Sequence, residues 1–291
     1  MKQYLDTVRE VLAKGTRKEN RTGVDTLSTF NINYEIDLRK GFPLLTTKEI
    51  SWKNIVVENL WFLSGERHIG LLKKHNCKFW DPWADENGFV PSAYGNFWRH
   101  FPVHNGERIA YRDQIAWVAE ELKRNPMSRR LVVSAWAPGN AHTSALPPCH
   151  CLFILNVQHL DGEPHLCLHL TQRSCDVALG VPYNIAGYAL ILELLARISG
   201  LRAGLLGHTL VDAHIYTAKP DGSMAEYDHV PGLHAQLERA PRALPRLVID
   251  ASITSLDHIK PLLETSTQDM LSAFRVEGYH PHPAISFKVA V

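Results

Sequence analysis

The sequence predicts an α+β fold: a single domain, residues 1–291, in which helices flank a mixed, buried β-sheet. Three observations lead there. Strand-like and helix-like runs interleave without the strict alternation of a parallel βαβ protein. One stretch, residues 183–199, is apolar nearly all round and suits only the centre of a core. No repeat, low-complexity tract or Pro/Ser-rich linker divides the chain.

The elements follow in order. Residues 2–13 form a helix with Leu5, Val8 and Leu12 on one face and Gly15 just past its end. Residues 18–26, basic and polar, read as a loop, and alternation marks a strand over 27–38. Ser51 caps a helix that carries Ile55, Glu58, Leu60, Trp61 and Leu63 up to Gly65. An amphipathic helix over 113–124 is stopped by Asn125-Pro126. Strands are expected over 130–136, 151–158 and 165–173. The apolar helix 183–199 then ends at Gly200, and strands over 208–216 and 246–250 complete the set.

Charge and composition exclude several functions. With 31 basic against 30 acidic side chains, the net charge of +1 gives no electrostatic case for nucleic acid or an acidic membrane surface. The most apolar stretch, 185–198, contains Glu193 and Arg197, and the opening residues lack a signal peptide's apolar core, so no membrane location is expected. Five cysteines, an odd number in a chain too long to need disulfides, point to a reducing, cytoplasmic setting. No CxxC, HExxH, P-loop or GxGxxG pattern occurs, and the sixteen histidines show no ligand spacing, so no metal is expected.

The chemistry-bearing segments each have a bland and a functional reading. In Leu146-Pro147-Pro148-Cys149-His150, two prolines fix the approach to a cysteine between strands. It is either a small buried thiol or a nucleophile, and a nucleophile needs nearby positive charge; Arg173 and the pair Arg129-Arg130 are the candidates. Arg173-Ser174 can hold a phosphate by charge-assisted hydrogen bonds. Asn184 can cap the apolar helix or offer a donor and an acceptor to a heterocycle; alone, the cap is preferred. Trp80 and Trp83 are core packing or a stacking platform. Glu58 lies at the edge of its apolar face, or is a carboxylate whose pKa burial raises. In Asp212-Ala213-His214-Ile215-Tyr216, His214 and Tyr216 share one strand face as core residues or as a polar pair.

Taken together and in order, four of these motifs resemble the folate-dependent thymidylate synthase and pyrimidine hydroxymethylase family: Leu146-Pro147-Pro148-Cys149-His150, Gln172-Arg173-Ser174-Cys175-Asp176, Gly180-Val181-Pro182-Tyr183-Asn184-Ile185 and Asp212-Ala213-His214-Ile215-Tyr216. The resemblance extends from Asn20-Arg21-Thr22-Gly23 through Thr47-Lys48, Glu58-Asn59-Leu60-Trp61, residues 80–88, Tyr94-Gly95 and Ser128-Arg129-Arg130 to Glu277-Gly278-Tyr279-His280-Pro281-His282-Pro283. It implies conversion of dUMP to dTMP with 5,10-methylenetetrahydrofolate as one-carbon and hydride donor, and no metal. By the same resemblance, Cys149 adds to uracil C6 and so activates C5. Arg173 contacts the phosphate and helps keep Cys149 ionised. Arg21 and Ser174 complete that site with Arg129 and Arg130 from the second subunit of a homodimer. Asn184 pairs with uracil N3 and O4, while His214 and Tyr216 hold the sugar. Glu58 moves protons and Tyr94 assists removal of the C5 proton. Trp80, Trp83 and Asp176 seat the pterin, and Lys48, Gly180 and the tail at Val291 belong to the folate side. Departures from the family pattern are Thr171 for Tyr, Ala178 for Phe, Ala137 for Asn, Gly187 for Ser and Val211 for Gly. An insertion of about ten residues follows Tyr216. An aspartate at position 184 would suit cytosine; the amide argues for uracil. The runner-up within the family is hydroxymethylation of dUMP.

Overall fold

The alternating segments become strands: β1 (Thr16–Lys18), β2 (Asp25–Asp37), β3 (Phe101–Asn105), β4 (Arg108–Arg112), β5 (Val132–Ser134), β6 (His150–Leu160), β7 (Glu163–Gln172), β8 (Cys175–Asp176), β9 (Arg202–Thr217), β10 (Arg246–Ile249) and β11 (Phe274–Glu277). The structure is a computed structural model describing residues 1–141 and 146–290. Seven strands make one sheet in the order β1-β2-β9-β7-β6-β5, with β8 paired to β9. The β7–β9 and β8–β9 pairs are parallel and the others antiparallel, so the sheet is mixed, as expected.

The helix Gly180–Ile198 supplies the crossover between β8 and β9 and packs on β7 and β9. It is long and apolar enough to cross a membrane, yet most of it is buried inside the fold, which makes it the core helix. The helix Trp52–Ser64 packs against it, with Ser51 Oγ accepting from the Asn54 N–H and Gly65 turning left-handed at φ 76°. Along β6, Phe153, Leu155 and Val157 face this helical layer, while Ile154 and Gln158 alternate outward to solvent.

Several boundaries differ from expectation for local reasons. The loop over 18–26 is shorter, because residues 16–18 pair with β2. The strand expected over 130–136 shrinks to Val132–Ser134. Gly15 ends the first helix, Lys2–Lys14, in extended rather than left-handed geometry; a Cβ there would sit 2.4 Å from the Val11 carbonyl oxygen. The core helix begins three residues early, so Asn184 lies inside it and the capping reading is overturned. The hairpin β3–β4, nearly all exposed, and the pair β10–β11 carry too little apolar alternation to have been legible.

Along β9, the alternate buried positions run through Leu206, His208 and Leu210, then change phase at Asp212, so that Ala213 and Ile215 are buried. Opposite this point Asn31 on β2 takes φ 61°. The phase change leaves His214 and Tyr216 on the side of β9 that borders the cavity described next.

Candidate active site

At the ends of β8 and β9 a cavity of about 390 Å³ is bordered by Arg21, Trp83, Cys149, Arg173, Ser174, Asp176, His214 and Tyr216. Lys18, Glu19, Asn20, Thr22, Thr26, Asp212 and the tail residues Val289 and Ala290 also line it. These come from six separate stretches of chain, and the sheet positions most of them.

Cys149 is held by its backbone. Its N–H donates to Tyr94 Oη at 3.1 Å, and its carbonyl accepts from the Arg173 N–H at 2.9 Å. The carbonyls of Pro147 and Pro148 accept from the Arg173 guanidinium at 2.7 and 3.0 Å, while the same guanidinium lies 5.7 Å from the Trp136 ring. The prolines thus rigidify the approach and anchor the arginine beside the thiol. Burial pushes the Cys149 thiol up, and Arg173 and Arg21 pull against it. The net direction is upward, and the arginines are the groups placed to stabilise a thiolate as it forms.

Tyr94, on the short helix Tyr94–Arg99, stacks flat on His150 with ring centroids 4.4 Å apart. Burial lowers His150 to about 3, so that ring is neutral. The Glu58 carboxyl accepts a 2.8 Å hydrogen bond from Trp80 Nε1, and burial pushes it up to about 7. The two tryptophans divide between their readings. Trp80 is core, packed among Trp61, Phe62 and Tyr94, whereas Trp83 lines the cavity with the Arg21 guanidinium 5.9 Å from its ring.

Asp176 Oδ1 accepts from the N–H groups of Ala178 and Leu179, which turns the chain into the core helix. His229 Nδ1 lies 3.8 Å from the same oxygen. His214 and Tyr216 meet edge to face at 5.4 Å. The hydrogen bond from His214 holds Asp212 well below the usual carboxylate range, with Ser28 and Lys18 adding to it. Asn184 and Gly180 stand behind the cavity, with Asn184 Oδ1 accepting from Gln172 Nε2 at 3.1 Å.

Some expected residues lie elsewhere. Lys48 does not line the cavity: its ammonium donates to the Ala178 carbonyl at 2.6 Å, lies 4.4 Å from the Phe287 ring, and is lowered by burial to about 8. Arg129 and Arg130 are exposed and outside this chain's cavity, so the positive charge beside Cys149 within one chain comes from Arg173 and Arg21. Val291 lies outside the described residues. No cluster of metal ligands occurs among the described residues. The insertion after Tyr216 meets the tail: Lys288 Nζ lies 4.2 Å from the Tyr227 ring and 3.6 Å from Glu226. Asp212 was missed because its exposure depends on the phase change in β9.

One departure from the family pattern has a direct packing cause. A Cβ at Gly187 would sit 2.6 Å from Asn59 Nδ2, which donates to the Ile55 carbonyl. Gly187→Ser is therefore expected to cost about 1–3 kcal/mol. A lower midpoint in urea, partly restored by adding Asn59→Ala, is the expected result.

A cysteine on the wall of a cavity that also carries two arginines suits an enzyme that attacks an anionic substrate through sulfur. Residues 2–291 match the family model described as Thymidylate synthase. The chain belongs to the thymidylate synthase family, whose members are folate-dependent enzymes that methylate or hydroxymethylate dUMP.

Proposed function

We propose that the protein catalyses the reductive methylation of dUMP to dTMP, with 5,10-methylenetetrahydrofolate as the donor and dihydrofolate as the second product. The observation that carries this is Cys149 on the cavity wall, anchored by backbone bonds and flanked by Arg173 and Arg21. Arg21, Arg173 and Ser174 take the phosphate, and His214 with Tyr216 takes the sugar, which leaves the pyrimidine between Cys149 and Asn184. The Cys149 proton is first lost to solvent, with the two arginines stabilising the thiolate; as the sulfur's electron pair then bonds to C6, the C5=C6 π pair shifts onto C5 and O4, where the Asn184 amide donates.

Glu58, with a carboxyl near neutrality, is poised to take and return protons around the pyrimidine. Tyr94, one hydrogen bond from Cys149, is placed to assist removal of the C5 proton. The residues present fit a reduced folate: Trp83 offers a flat apolar wall, Asp176 a carboxylate for ring N–H groups, and Val289 and Ala290 reach the cavity from the tail. When bound, the folate supplies the one-carbon unit and the hydride. Trp80, Trp61, Phe62 and Tyr94 form an aromatic cluster beside Glu58 that supports a dry reaction, which favours methylation over the hydroxymethylation that needs water.

A two-fold dimer belongs to this reading. The sheet face away from the helices exposes Phe30 (79%) and Ile154 (40%), and a second copy covering that face could bring Arg129 and Arg130 to its neighbour's phosphate site. Five free cysteines support a reducing, cytoplasmic setting.

Alkylation tests the central contact. Iodoacetamide is expected to label Cys149 progressively faster as pH rises, and saturating dUMP is expected to block that labelling while leaving modification of the other cysteines unchanged. Equal labelling of Cys149 with and without dUMP would remove the basis of the proposal.

A further inference from the structure

The insertion after Tyr216 has no part in the steps above, yet it is a built loop. The His229 N–H donates to the Tyr216 carbonyl at 3.0 Å, so residues 217–228 leave the sheet and return to their point of departure. Inside the loop the Lys219 N–H donates to the Ser223 carbonyl and the Gly222 N–H to the Lys219 carbonyl, both at 2.9 Å. Met224, at φ 61°, then turns the chain into the short 3₁₀ turn Ala225–Tyr227. Asp228 Oδ1 accepts from the Val230 N–H and so starts the helix Val230–Leu237. Local bonds thus fix the place of Glu226 and Tyr227, next to the tail.

The tail is held at two stations. The first belongs to the body of the fold. The Phe287 ring lies 4.9 Å from the His229 ring and 4.4 Å from the Lys48 ammonium, and a Cβ on Gly232 would come within 2.6 Å of it. His229, 1% exposed, donates from Nε2 to the Lys288 carbonyl at 2.9 Å. The second station belongs to the insertion. Lys288 is not on the cavity wall; its ammonium lies 4.2 Å from the Tyr227 ring and 3.6 Å from the Glu226 carboxylate. The next two residues, Val289 and Ala290, do line the cavity. The insertion therefore takes hold of the last residue before the tail reaches the site.

We propose that Glu226 and Tyr227 are positioning residues: by gripping Lys288 they keep Val289 and Ala290 on the cavity wall before the folate arrives, and so lower the folate concentration the enzyme needs. The inference rests on the reading that a reduced folate binds on the tail side of the cavity. A cation over a half-exposed ring and an exposed ion pair are each weak, and together they shift a docking equilibrium by about tenfold. That is enough to matter for a tail. A ligand that needs the tail docked binds with an apparent affinity reduced by the fraction of time the tail is docked.

The test compares Lys288→Gln and the double variant Glu226→Gln/Tyr227→Leu with the wild type, and uses Lys288→Arg as the conservative variant, since a guanidinium keeps both contacts. Two quantities are read. Without any ligand, the rate at which carboxypeptidase A releases alanine from the tail follows the undocked population, and it is expected to rise about tenfold in the first two variants. In turnover, KM for 5,10-methylenetetrahydrofolate is expected to rise about two- to fivefold, with kcat and the KM for dUMP unchanged. Lys288→Arg is expected to match the wild type in both. Tail release that does not change would show that the insertion does not hold the tail, and would overturn the proposal. Faster release with an unchanged folate KM would overturn it too, because the grip would then do nothing for the folate. A fall in kcat or a rise in the dUMP KM in step with the folate KM would mark a general disturbance of the site and likewise overturn it. Failure of the wild type itself to form dihydrofolate would instead bring down the proposed reaction, and this inference with it.

Discussion

Cys149→Ala is expected to reduce turnover by at least about 10⁴-fold while leaving dUMP affinity within a few-fold of the wild type. The asymmetry follows from what the sulfur does. Its hydrogen bond to the Pro147 carbonyl is long at 4.0 Å, a weak contact, whereas the loop is held by the Cys149 backbone and by Arg173, all of which alanine retains. The groups proposed to hold the nucleotide are likewise untouched. Steady-state turnover, calorimetric dUMP binding and thermal melting together make the check. Cys151→Ala is the matched control: its thiol does not line the cavity, and turnover is expected to persist. Retained turnover in Cys149→Ala would end the covalent mechanism, and lost binding would show that the sulfur is structural.

Glu58→Gln carries the second large effect, with an expected loss of about 10²–10⁴-fold in turnover from removal of an acid–base group. It also carries a signed effect on stability. Burial raises this carboxyl from 4.5 to about 7 in the folded chain, so folding retains a proton that the unfolded chain gives up. Stability contributed by the neutral form is full below pH 4.5 and is lost as pH rises toward about 7. The amide has no such loss. Relative to the wild type, Glu58→Gln is therefore expected to be about 3 kcal/mol more stable above neutrality than it is in acid. Glu193 is raised to about 7 by burial as well, but it remains in both proteins and cancels from the difference. Urea unfolding of both proteins across this range measures it. Parallel stability curves would mean that the Glu58 carboxyl is not desolvated.

The long elements were legible because burial imposes periodicity. Phe153, Leu155 and Val157 alternate with outward residues along β6, and Ser51 and Gly65 bracket a helix by their capping chemistry. What stayed hidden was set by tertiary context. Nothing near Asn184 in sequence reveals that Asp176 starts the turn into the helix early, which moves Asn184 from the cap into the second turn. Cys149, Arg173, His214 and Tyr216 were recognisable as chemical residue types, and their order along the chain carried the resemblance. Their convergence depends on the parallel β8–β9 pair, which no local pattern encodes. Lys48 and Trp80 resembled site residues, yet packing turns one toward the Ala178 carbonyl and the other into an aromatic core.

The most direct test of the account is to mix the purified protein with dUMP and 5,10-methylenetetrahydrofolate, follow dihydrofolate by ultraviolet absorbance, and determine the mass of the nucleotide product. Dihydrofolate formed in step with a methylated nucleotide is the predicted result. A hydroxymethylated nucleotide without dihydrofolate would contradict it, because it would mean that water reaches the reacting carbon despite the aromatic wall beside Glu58.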